Sequence, residues 1–184
     1  MSAAENKAVA LLREQYKDAT NYLERIVADV TPDDAHWKPP GTALPAGAIY
    51  AHVVTSIDAI VNAILKGGAP LFASQWAGKT GLSELPPGPD PAKQGFPDWT
   101  GWSRRVTIDL PAHRKYAEAV HAAADGYLAT LADADLDRSV DLSAVGLGVV
   151  TVRFMLNNAV LGHAFSHGGE ISCLKGLRGK KGSF

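Results

Sequence analysis

Four stretches of this chain, each roughly twenty residues or longer, repeat apolar residues at steps of three and four, and none carries a convincing strand-like alternation. That period marks helices with one buried face, and such faces are satisfied by packing on one another. From Glu5 to about Ala28 the stripe reads Ala8, Leu11, Leu12, Ala19, Tyr22, Leu23, Ile26 and Val27, with Val30 beyond, and it stops at Thr31-Pro32. From about Gly47 to Lys66 it reads Ile49, Val53, Ile57, Ile60 and Ile64, with His52 inside it and Gly67-Gly68 as the stop. A third helix is predicted from about Pro111 to Leu131 through Tyr116, Ala117, Val120, Tyr127 and Leu128. A fourth starts at Thr151, an N-cap residue, and runs through Val152, Met155, Leu156, Ala159, Val160 and Ile171 to about Leu174.

Four helices of this length make an all-α four-helix bundle the expected fold, and the loops set its topology. Residues 67–110 far exceed the roughly 2–8 residues of an ordinary bundle turn. They read as a crossover that lets the second and third helices run parallel, which predicts an up-down-down-up bundle. Pro86, Pro87, Pro89 and Pro91 lie in the crossover together with Trp76, Trp99 and Trp102, a content that suits a loop packed on the bundle. No internal repeat is present, and residues 1–184 read as one domain.

Composition narrows the function. Eighteen Lys and Arg against nineteen Asp and Glu leave a net charge of −1, so there is no overall basic field to gather nucleic acid or an anionic membrane. No apolar stretch approaches the ~18–20 residues that cross a bilayer, and MSAAENKAV lacks the plan of a signal peptide. A cytoplasmic protein is expected. One cysteine, Cys173, makes neither an internal disulfide nor a thiolate zinc site, which leaves the six histidines as the rich source of metal ligands.

His163 and His167 are four residues apart on the inward stripe of the fourth helix, so both imidazoles can reach one ion. His52 adds a third inward imidazole 111 positions away in the chain. In the predicted topology the second and fourth helices are antiparallel. His52 then stands about 8 Å from the start of its helix, and His167 and His163 about 10 and 16 Å from the end of theirs, so the levels match. In a parallel pair His163 and His167 would be about 18 and 24 Å along, out of reach. Three histidines on one ion leave coordination positions open, the arrangement of catalytic sites. The zincin general base is absent, since Ala164 follows His163. His36, His113 and His121 read as solvent or loop histidines.

A Trp37-Lys38-Pro39-Pro40 stretch after the first helix, one inward histidine on the second, a long crossover, and His163-x-x-x-His167-Gly168-Gly169-Glu170-Ile171 together resemble the DinB/YfiT-like superfamily of metalloenzymes over nearly the whole chain. The resemblance implies an up-down-down-up bundle, often dimeric, with His52, His163 and His167 on zinc, nickel or iron. It also implies a transferase or isomerase reaction that uses a low-molecular-weight thiol. The superfamily name carries no implication of DNA binding.

Topology places Trp37, Trp102 and Arg105 at the metal end as candidate substrate-binding residues, an aromatic wall with a cation for a carboxylate. Glu170 is three residues from His167, within reach of its imidazole. Gly168 and Gly169 inside a helix point to close approach by a neighbouring element. Lys175, Arg178, Lys180 and Lys181 read as a solvated cluster, and Cys173 as a small core hydrophobe. The expected function is thus a three-histidine metal enzyme acting on a small molecule, without nucleic-acid or membrane partners. A metal-dependent hydrolase, a non-catalytic metal- or ligand-binding module and a purely structural dimerisation bundle stand as alternatives.

Overall fold

The four periodic stretches form the long helices of the computed structural model, which describes residues 6–88 and 97–182. The predicted start at Glu5, and Pro89 and Pro91, lie outside the described residues. The helices are α1 (Lys7–Val27), α2 (Pro32–His36), α3 (Ala46–Asp58), α4 (Trp99–Ser103), α5 (Leu110–Leu128), α6 (Val152–Phe154) and α7 (His163–Leu177). Two run on without a break: α3 passes into a π-helical stretch, Ala59–Leu65, and α6 passes through another, Met155–Gly162, into α7. The starts follow sequence. Thr151 Oγ1 accepts the Phe154 N–H at 3.1 Å, and Asp109 Oδ1 accepts the Ala112 N–H ahead of Pro111.

The chain is mostly helical. Helix α1 packs on α7 and α5, and α3 packs on α7, α5 and α2, so α3 occupies the middle. Its apolar stretch, Ala46–Leu65, is 20 residues long and apolar enough to span a membrane, contrary to the expectation that no stretch is. Two thirds of it (67%) is buried, because it serves as the central core helix. The stripe of α1 is shifted from the expected one. Val9 and Tyr16 are buried, whereas Ala8 and Leu11 face out.

The sheet was not expected. Ser139–Leu142 (β1) and Gly148–Thr151 (β2) pair antiparallel, with Ser139 opposite Thr151 and Leu142 opposite Gly148. Gly146 and Gly148, at φ +81° and +67°, supply the left-handed turn between them. Strands of four residues are too short to declare a period of two.

The crossover is tied down at several points. Asp58, fully buried, accepts the Leu71 and Phe72 N–H groups at 2.8 and 2.9 Å, the Tyr116 hydroxyl at 2.6 Å and the Asn62 amide at 2.8 Å. Burial keeps the Tyr116 phenol protonated, its pKa pushed far up, so it can only donate to the carboxylate. Gly81, at φ +74°, lets the chain press against α5, where a Cβ would fall 2.6 Å from the His113 nitrogen.

At the far end three residues of the basic cluster are paired, and Lys181 is exposed as expected. Lys175 is buried and donates to the Ile26 carbonyl and to Asp29, while Arg178 and Lys180 both reach the buried carboxylate of Asp34. Cys173 is exposed and no part of the core, since the α7 face it occupies is turned away from α1 and α3.

Candidate metal centre and its cleft

His52 on α3 and His163 and His167 on the first turns of α7 meet across 111 residues of chain. Their offered ring nitrogens all lie within 4.8 Å of one another, and each residue is half-buried. His52 Nε2 and His163 Nε2 are 2.9 Å apart, and the three rings stand nearly perpendicular to each other, with centroids 4.4–5.2 Å apart. The matching of levels expected from helix geometry is therefore observed.

Burial sets the charge of these rings. It pushes the pKa of His52 down from 6.5 to about 3, with the neighbouring His163 and His167 adding to the fall, and that of His163 to about 4. Both are neutral at pH 7, the form that ligates metal. The third ring is oriented from outside: His167 Nδ1 donates to Glu170 Oε2 at 2.6 Å, which in the neutral ring makes Nε2 the nitrogen able to coordinate. The Nδ1 atoms of His52 and His163 are buried and lack a hydrogen-bond partner among the described residues. Two neutral, desolvated imidazoles aimed at each other, with a third whose tautomer is fixed, fit a divalent cation.

Trp99, the first residue of α4, covers His52 edge-on at 4.2 Å between centroids, and Trp102 supports Trp99 at 5.6 Å. Gly168 makes room for the α1 side: a Cβ there would meet the Tyr22 ring at 2.5 Å. Gly169 has no such neighbour, so the close approach is at Gly168 alone.

From the histidines a cleft of about 570 Å³ extends along α3 and its π-helical continuation. Thr55, Ala59, Ile60 and Ile64 form one wall, Phe154, Met155, Asn158 and Ala159 the other, and Leu142, Val145 and Leu147 of the hairpin region also line it. Of the candidate substrate residues, Trp102 is buried with its indole N–H on the Glu84 carbonyl, and Arg105 makes a paired contact with the Glu84 carboxylate. Trp37 lies under the Arg178 guanidinium at 5.5 Å. None of the three is among the residues that line the cleft; Trp99 is. The hairpin residues were missed from sequence, although Gly146-Leu147-Gly148 ahead of the β-branched run Val149-Val150-Thr151-Val152 was the signal available.

Of the other histidines, His113 and His121 are turned inward and not to solvent, and His36 is half-buried where α2 meets the following loop. His113 is fully buried, because the crossover folds back over the first turn of α5; its Nδ1 donates to the Thr80 carbonyl at 2.8 Å, and its pKa is pushed down to about 4. His121 bridges the Tyr16 hydroxyl and Glu24, and its side chain is only 15% exposed. His36 joins the Pro32 carbonyl to the Ile108 N–H.

No curated protein matches the chain. A crystal structure of a conserved protein from Enterococcus faecalis is similar over 95% of this chain and 99% of its own, with a TM-score of 0.73 and 22% identity, a likeness of fold. The family model of the DinB superfamily matches residues 15–171, which carry all three histidines, and the chain belongs to that superfamily.

Proposed function

We propose that this protein is a metal-dependent enzyme in which His52, His163 and His167 hold one divalent ion, zinc, nickel or iron, beside a substrate cleft. The observation that carries the reading is the convergence of three imidazoles, two of them neutral and desolvated, of which His52 and His163 line that cleft. A divalent ion there supplies Lewis-acid chemistry, lowering the pKa of a bound water or thiol. Around it the chain's own side chains bind and orient. Glu170 holds the His167 proton at Nδ1, and Trp99 screens His52 from solvent. Trp102 acts through Trp99.

Membership of the superfamily favours transfer or isomerisation with a low-molecular-weight thiol over hydrolysis. In this reading the four long helices run up-down-down-up, and the protein works as a cytoplasmic homodimer on a small molecule.

Metal analysis of untagged protein tests the reading. About one ion per chain is expected, falling to background in His163→Ala while the helical circular dichroism is kept. Equal metal content in the two proteins would remove it.

A further inference from the structure

We infer that the cleft takes an uncharged, elongated apolar substrate, a long alkyl or acyl chain whose polar head lies at the histidines. The inference rests on the metal-centre reading only for the placing of the head; the chain-binding part stands on the cleft itself.

Length comes first. Lining residues on one wall run from His52 to Ile64, which at 1.5 Å per residue is about 18 Å, enough for an extended chain of a dozen carbons. Charge comes second. No Asp, Glu, Lys or Arg is among the described lining residues. Its few polar side chains are partly spoken for: Thr55 Oγ1 donates to the Ala51 carbonyl and the Asn158 amide to the Phe154 carbonyl. An ionised group in the body of a ligand would be desolvated there without a counter-charge among the described lining residues. Arg105, the nearest sequence candidate for a carboxylate partner, is engaged by Glu84 instead.

The walls add a third observation. The two π-helical stretches, Ala59–Leu65 and Met155–Gly162, face each other across this cleft and place small residues, Ala59 and Ala159, along its course. Stretches of π-helix recur at functional sites. At the end remote from the histidines, Ile64, Leu147 and Phe154 remain 40%, 44% and 41% exposed, so an apolar path continues to the surface.

The test is displacement of the neutral fluorophore N-phenyl-1-naphthylamine by straight-chain alcohols of six to sixteen carbons, on metal-free and zinc-loaded protein. Affinity should rise about three- to fourfold per methylene up to roughly twelve carbons and then level off. Dodecanoate should bind at least tenfold more weakly than dodecanol to the metal-free protein. Ala59→Leu and Ala159→Leu should each cut long-chain affinity tenfold or more while leaving zinc stoichiometry unchanged.

Failure of the metal reading would appear as absent zinc with the chain-length dependence intact. Zinc bound with an affinity flat across the series would overturn the present inference. So would a mass that rises with concentration and falls on Phe154→Glu with no alcohol binding, the outcome for a second copy of this chain seated on the apolar rim.

Discussion

Glu170 is one helical turn beyond His167, and its carboxylate decides which nitrogen that ring can offer. A proton fixed on Nδ1 by a 2.6 Å contact leaves Nε2 as the ligand atom without a tautomer change on binding. Glu170→Ala should therefore weaken zinc binding about 10- to 100-fold, and Glu170→Gln, which keeps an acceptor, should recover much of the loss. A chelating dye in competition with the protein measures it; unchanged affinity in both variants would mean the ring is held some other way. The convergence of the three histidines was legible in the sequence, since a spacing of four on an inward stripe and a matched level on another helix are matters of helix geometry. His113 was not. Its own helix leaves it near a start, and what buries it is the carbonyl of Thr80, delivered by the crossover from 33 positions away. Local period carries no trace of such a contact, nor of the exposure of Cys173.

At the scale of elements, the long helices were readable because each stripe is long enough to repeat several times. The π-helical stretches were not, because an i→i+5 ladder leaves the apolar residues where an α-helix would have them and is decided by packing. The hairpin failed for shortness. The described part of the long segment after α3 packs on the helices, and a residue that fastens it is Asp58, where α3 turns π-helical. It satisfies two crossover amides and a phenol that would otherwise be buried without partners. Asp58→Ala should cost at least about 3 kcal/mol in urea unfolding, with the Leu71 and Phe72 amides exchanging faster than those of α1. Asp58→Asn, which retains one carbonyl oxygen, should cost less. A cost under about 0.5 kcal/mol for both would show that the crossover is held elsewhere.

The molecule as a whole buries imidazoles that are neutral in the folded state and basic in the unfolded one, and its acid stability follows. His52, His113 and His163 have folded pKa values of about 3, 4 and 4 against 6.5 when unfolded. Between those limits the unfolded chain binds protons that the folded chain refuses. Stability therefore rises with pH: the contribution is complete above 6.5 and is lost as pH falls from there toward 4. Each such proton steepens the dependence by about 1.4 kcal/mol per pH unit, and the fall for His113 alone is worth roughly 3 kcal/mol. The depressed carboxylates, Asp29, Asp34 and Asp125, lose their contribution only below about 3.8, where of the three histidines only His52 still has part of its window left. Metal deepens the histidine window, since protons compete for the same nitrogens. His113 is outside the metal centre and isolates the burial effect. In metal-free protein, His113→Phe should lose stability at pH 7 with its hydrogen bond to Thr80, yet its unfolding free energy should fall less steeply between pH 6.5 and 4.5, by close to one proton. A parent and variant with parallel slopes would mean that His113 is protonated in the folded chain, and that its place between Tyr50 and Tyr116 tolerates the charge.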